Sequence, residues 1–370
     1  MTAQDQVIDQ HKGARSAPVL TFDVAIATRN RPEALALTIP LILSQDWLPE
    51  KLIVIDSSDD HAPVAKAVAA AIAGSGFSGE VIVEHSEKGL TRQRNRALTH
   101  VTADVVIFPD DDSLFFPGTS AAIMDAYERD PEKRIAGVCT AESPVPPPGV
   151  LPESAYSMTG EQKREKKLAH LRNRIERRFD DLNPFIYMGR QLMQRAPKID
   201  WLEQDDCVLV EWMTGFRMSF RTEYINQVGF EASFTGYSRS EDVDACFGVS
   251  RFGCFVGARR AKIYHHKFPS RRDTGFAMGA TALTSRAYVV AKHVAGCGFT
   301  PEQADTARRK LRAYGRFKML SSVLRAYRRF DRDQLRGAWA AWRRLDDLLK
   351  APVDELPARY AALRARLGLT

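Results

Sequence analysis

Between Val19 and Phe108, short apolar runs alternate with helix-patterned segments, and this alternation leaves few folds open. VLTFDVAIAT (19–28), KLIVID (51–56), EVIVEH (80–85) and DVVIF (104–108) read as strands. Helices are expected over Pro32–Ser44, His61–Ala73 and Leu90–Val101, the first opening on a proline whose fixed φ suits a first helical turn. Strands alternating with helices indicate βαβ units and a mainly parallel sheet, so the fold class is α/β. The strands are nearly all apolar, as strands covered on both faces must be. In such sheets ligands bind beyond the carboxyl ends of the strands. Function is therefore sought at 28–31, 56–60 and 110–113.

The remaining 260 or so residues bound the rest. A chain of 370 residues exceeds what one compact core usually needs, so an appendage or second domain is expected. SPVPPPGVLP (143–152) is a proline-rich loop, and Glu161–Arg178 reads as a strongly charged helix. Strand-like runs return at Cys207–Glu211, Phe216–Arg221 and Cys254–His265, and helices alone follow Gly279. This predicts a flexible N-terminus over 1–17, an α/β domain over 18–275 with a loop and helical insert at 145–205, and a basic helical region over 276–370.

Charge is unevenly spread. Residues 301–370 hold 17 Lys or Arg against 8 Asp or Glu, while the rest of the chain holds 36 against 38. The basic excess belongs to the tail, where it suits packing arginines or an anionic membrane surface. There is no run of eighteen apolar residues and no basic-then-apolar leader at the start, so a cytoplasmic location is expected, with peripheral contact at the inner membrane face as an option. Five cysteines without a CxxC spacing read as buried thiols.

Three clusters carry chemistry. Asp110, Asp111 and Asp112 follow an apolar strand. Adjacent carboxylates repel, and at a strand end they suit a hard cation, Mn²⁺ or Mg²⁺, or alternatively an acidic helix cap. Glu241, Asp242 and Asp244 open a helical pattern, fitting either the positive end of the helix dipole or a general base. Asp244 lies about 200° around that helix from Asp242 and is expected to matter least. His265 and His266 end a strand before Lys267, Arg271 and Arg272. Neighbouring strand residues face opposite ways, so at most one histidine, taken as His265, completes a metal site.

Taken in order, the segments VAIATRNRP, LIVIDSSDD, KGLTRQRNRAL, IFPDDDS and TGFRMSFRTEYINQVGFEASFTGYSRSEDVDACF resemble the family 2 glycosyltransferases over about Val19 to His266. The resemblance implies a GT-A fold and an inverting, metal-dependent transfer of a sugar from a nucleotide-diphosphate donor, UDP ahead of GDP or dTDP. It implies a saccharide or lipid-linked acceptor, such as a bacterial polysaccharide or glycolipid precursor. Carried over, Thr28, Arg29, Asn30, Asp56, Arg94, Asp110 and Asp111 contact the nucleotide sugar. Asp110, Asp112 and His265 hold the metal. Asp242 is the base, Glu241 places the acceptor, and Trp212 and Gly215 line the acceptor side. Ser57 and Ser58 follow Asp56 where many relatives have an acidic or amide residue, which puts the choice of nucleotide in question. A sugar nucleotidyltransferase would want a Gly-rich loop after the first strand, and 28–32 has no glycine. A non-catalytic nucleotide- or nucleic-acid-binding protein is the other rival; no nucleic-acid-binding module is recognised, and none is expected as partner.

Overall fold

The computed structural model describes residues 20–152, 179–235, 239–268, 275–324 and 332–369, with the side chains of 321–324 left out. The charged segment Glu161–Arg178, Arg271, Arg272 and the N-terminal 1–17 lie outside these residues. The strands are β1 (Phe22–Thr28), β2 (Lys51–Asp56), β3 (Glu80–His85), β4 (Val105–Pro109), β5 (Ser113–Phe115), β6 (Ile135–Glu142), β7 (Cys207–Val210), β8 (Arg217–Arg221) and β9 (Cys254–His265). The helices longer than one turn are α1 (Pro32–Leu43), α2 (Ala62–Ile72), α3 (Leu90–Leu98), α4 (Thr119–Glu128), α5 (Pro184–Met193), α6 (Glu241–Val249), α7 (Gly275–Gly296), α8 (Pro301–Leu324), α9 (Arg332–Trp342) and α10 (Leu356–Arg366).

One sheet runs β3-β2-β1-β4-β8-β6-β9-β5, with β7 pairing the far part of β9. The half formed by β3, β2, β1 and β4 is parallel throughout. Period-two alternation sends Val24, Ile26, Leu52 and Val54 into one layer and Ala25, Ile53 and Ile55 into the other, so both faces are covered. Antiparallel pairing of β8 with β4 places Arg217 opposite Pro109. Because β9 runs parallel to β6, which itself opposes β8, β9 ends with His265 at the same rim as the carboxyl ends of β1, β2 and β4. Sequence periodicity alone did not single out β5 or β6. The first is three residues long, and the second is AGVCT-like, too small and mixed to show a clear period.

The C-terminal helices share a core with the sheet domain. Phe185 and Met188 of α5, Phe234, and Val243 and Phe247 of α6 pack among Leu283, Tyr288 and Val290 of α7, Leu311 of α8, and Tyr360 and Leu363 of α10. This apolar seam brings α7 against the start of α6, where the acidic cluster sits.

Candidate active site

The turns after β1 and β2 are tied together. Asn30 takes a left-handed φ of 53°, its backbone N–H donates to Ser58 Oγ at 2.7 Å, and its amide exchanges hydrogen bonds with Asp59. Arg29 donates to Ser57 O and pairs with Asp59 at 2.7 Å. Asp56 is fully buried. Its Oδ1 accepts from Ser58 N–H at 2.8 Å and from the Ser58 hydroxyl, and its Oδ2 lies 2.8 Å from His61 Nδ1. Ser58, one of the two serines that depart from the family pattern, therefore satisfies one oxygen of Asp56, while His61, partly exposed, shares the other. Beneath them buried Gln93 donates to Thr28 O and Ile55 O, both at 2.8 Å, closing the gap between the two strand ends.

The three aspartates part company. Asp111 points inward and is fully buried. It accepts from Thr28 Oγ1 at 2.6 Å, pairs with Arg31 at 2.6 Å, and its carbonyl accepts from Thr38. Burial outweighs Arg31 and Thr28 and pushes its carboxyl up to about 7. Thr28 and Asp111 thus spend their polar atoms on each other. Asp110 and Asp112 turn to the rim, where one ligand atom each from Asp110, Asp112 and His265 lie within 4.8 Å of one another. His265 is stacked on Phe216 with centroids 4.5 Å apart, and its Nε2 lies 3.3 Å from Asp112 Oδ1. Asp112 Oδ2 accepts from Phe268 N–H at 2.9 Å, but the buried Oδ1 has no partner in hydrogen-bond geometry. Burial raises Asp112, yet His265 and Arg31 outweigh it and hold the carboxylate low. Two carboxylates, an imidazole nitrogen and one orphaned buried oxygen fit a divalent cation. His266 faces the other way, toward Tyr264 and Phe268.

Arg94 links this cluster to the acidic helix. Its guanidinium, only 3 % exposed, lies 3.3 Å from Asp110 Oδ1, 3.3 Å from Glu241 Oε1 and 3.1 Å from Gly215 O. A Cβ on Gly215 would sit 3.2 Å from the Arg94 terminal nitrogen and 3.4 Å from Glu241, so a side chain there would crowd this junction. Ser240 enters α6 at φ 70°, a costly conformation for a non-glycine residue, and so aims Glu241 and Asp242 at the rim. Asp242 Oδ2 accepts from Gly215 N–H at 3.1 Å and Oδ1 from Val243 N–H at 2.8 Å. Burial and the neighbouring Asp242 push Glu241 up to about 8, and burial also raises Asp242. Of the two, Asp242 keeps the charge more readily, since two backbone N–H groups hold its anionic form. Trp212 stands behind Gly215, edge-on to Phe185 at 6.4 Å.

Asp244, on the far side of α6, is fully buried. It lies 2.8 Å from His293 Nε2 and 2.9 Å from Lys292 Nζ, both on α7. Burial raises its pKa, but His293 and Lys292 outweigh that and lower it, while Asp244 lifts His293 to about 9 against the opposing effect of burial. Arg31, inside the stretch 28–31 where function was sought, and His61 and Gln93 also belong to the site, although no role was read for them in the sequence. Their side-chain partners come from other elements, so no local pattern marks them.

Residues 23–200 match the family described as Glycosyl transferase family 2. No curated protein matches the chain in sequence. Among solved structures, the mannosyltransferase PcManGT from Pyrobaculum calidifontis, in complex with GDP-Man and Mn²⁺, aligns with a TM-score of 0.50 at 13% identity, over 98% of this chain and 92% of that one. S. aureus TarS 1-349 in complex with UDP-GlcNAc aligns with a TM-score of 0.51 at 15% identity, over 94% of this chain and 92% of that one. At such identities the likeness speaks for the fold, and the matched segment speaks for the family. With its sheet, its rim of acidic residues and that match, residues 23–200 belong to the family 2 glycosyltransferases, and the chain has the GT-A fold.

Proposed function

We propose that the protein moves one sugar from a nucleoside-diphosphate donor to an acceptor hydroxyl with inversion at the anomeric carbon. The observation that carries this reading is the placement of Asp110, Asp112 and His265 at one rim, linked through Arg94 to Glu241 and through Gly215 to the carboxylate of Asp242. Asp110, Asp112 and His265 would hold Mn²⁺ or Mg²⁺, which when bound supplies a Lewis acid for the charge on the leaving diphosphate. Asp242 takes the acceptor's hydroxyl proton as that oxygen attacks the anomeric carbon. Glu241, neutral at physiological pH, is available to donate a hydrogen bond to the acceptor, and Arg94 keeps β4, α3 and α6 in register. UDP is proposed ahead of GDP and dTDP, and parallel titrations of the three with Mn²⁺ decide among them. EDTA should abolish transfer and Mn²⁺ or Mg²⁺ should restore it. Asp112→Asn should remove the Mn²⁺-dependent rise in melting temperature given by the preferred nucleotide, with the unliganded melting temperature little changed. Full turnover in EDTA, with no metal found in the protein, would sink the metal assignment.

A second reading concerns where the acceptor is met. Tyr314 and Trp342 of the tail turn into packing, whereas Leu320 and Trp339 are 60% and 51% exposed. Arg316 lies over the Trp342 ring at 5.0 Å, and Arg336 and Arg343 are exposed beside Trp339 on α9. Tryptophan among arginines suits an anionic bilayer surface and hence a lipid-linked acceptor. Among the described residues no helix is long and apolar enough to cross a membrane. The chain should float with phosphatidylglycerol vesicles at low salt and less so as Leu320→Ala/Trp339→Ala. Flotation absent at low salt, or unaltered in the double variant, rejects this surface.

A further inference from the structure

Arg286 of α7 takes no part in the chemistry above, yet its surroundings are unusual for an arginine. Its guanidinium is held between two rings, 4.4 Å from the centroid of Phe185 and 4.7 Å from that of Tyr314. Both faces are thereby covered by cation–π contact. The donors around its rim are not served: Nε and Nη1 are buried and have no hydrogen-bond partner among the described residues. Guanidinium stays charged in any protein environment, and buried N–H donors in native proteins are almost always paired. A pre-positioned cation with idle donors is the shape of an oxyanion receptor: Nε and Nη1 lie on the two different edges of the guanidinium, each shared with Nη2, and a carboxylate or phosphate accepts two parallel N–H bonds from one such edge.

Its position says which substrate would bring the anion. Contacts run from the metal-ligand cluster through Arg94 to Glu241, then through Gly215 to Asp242. Phe185, the ring that carries Arg286, packs edge-on against Phe247 of α6, the helix that bears Asp242, at 6.0 Å. Burial lowers the Arg286 pKa and Arg239, just before α6, adds to that, while Tyr314 and Asp242 oppose it. Arg286 thus lies on the helical side of Asp242, whereas the metal-ligand cluster lies at the strand rim. We propose that Arg286, clamped by Phe185 and Tyr314, is an acceptor subsite for an anionic group, a phosphate or carboxylate borne by the acceptor near the hydroxyl that is glycosylated. The inference rests on Asp242 being the base.

The test uses the full chain and two probes, inorganic phosphate and acetate, titrated calorimetrically in EDTA so that no metal-held phosphate contributes. The wild type should bind at least one of them saturably, and the preferred probe tells phosphate from carboxylate. Arg286→Met, which keeps an apolar stem between the rings, should lose about tenfold or more in affinity, and Arg286→Lys should lose less. Equal binding by wild type and Arg286→Met, or no saturable binding of either probe to the wild type, overturns the subsite. If Arg286→Met does not fold, the wild-type Nε–Hε resonance of Arg286 decides: it should move on adding the bound anion, and an unmoved resonance overturns the proposal. Nucleotide binding with Mn²⁺ is followed separately on the wild type. Loss of that signal with anion binding intact would reject the transferase reading and leave the receptor standing, whereas nucleotide binding without anion binding rejects the receptor alone.

Discussion

Asp242→Asn is expected to keep the fold and the metal–nucleotide interaction and to lose transfer by at least about a hundredfold. Asparagine's one carbonyl oxygen can still accept from either Gly215 N–H or Val243 N–H, the two bonds that seat this side chain, so part of its anchoring survives. What it lacks is the ability to take a proton. Single-turnover measurements at saturating acceptor isolate that step, and near-normal turnover would require the base to be reassigned, with Glu241 first in line. Glu241→Gln should harm the rate less and acceptor affinity more. Its carboxyl is pushed up to about 8, so near neutrality it is already mostly a neutral hydrogen-bonding group, which the amide imitates.

Asp244→Asn, two residues on, should damage something different. Folding stability should fall by about 3 kcal/mol, because one partner of a buried ion pair is removed while His293 and Lys292 stay in place. The expectation from helical geometry was that Asp244 would matter least. Its direction was right, since it points away from the rim, but that side of α6 is where α7 docks. The wild-type pair also sets a pH window. His293 has a folded pKa raised to about 9 from an ordinary 6.5, so its contribution is complete below about 6.5 and is lost as pH rises through about 9. Asp244 has a lowered folded pKa, so its contribution is present above the ordinary carboxylate range and is lost on acidification. Denaturant midpoints should therefore fall between pH 7 and 9.5 in the wild type, and fall much less in Asp244→Asn. An unchanged midpoint in the variant, or the same pH slope in both proteins, would count against this account of the α6–α7 junction.

These two aspartates show where reading the chain alone stops. The rim was legible because it follows from a local rule repeated four times. Apolar strands alternating with helices make parallel βαβ units, and parallel strands deliver their carboxyl ends to one side, so Thr28, Asp56 and Asp110 had to meet. The two histidines were separable for the same reason, since side chains in a strand alternate: His265 faces Asp112, and His266 does not. What local periodicity could not supply was the partner of each polar group. Within Asp110–Asp112, one residue faces the core and two face the rim because Thr28 of β1, Arg31 of the turn after it and Thr38 of α1 receive Asp111. Asp56 shares its carboxylate with Ser58 and His61 only once the turn after β2 has closed. Arg286 carries no signal in a tail full of arginines, and its place beside the acidic helix comes from the apolar seam that seats α7 against α5 and α6. Strand and helix periods are properties of neighbouring residues, so the chain itself determined the sheet and the rim. The pairing of buried charges spans tens to more than a hundred residues, and only the docking of whole elements on one another decided it.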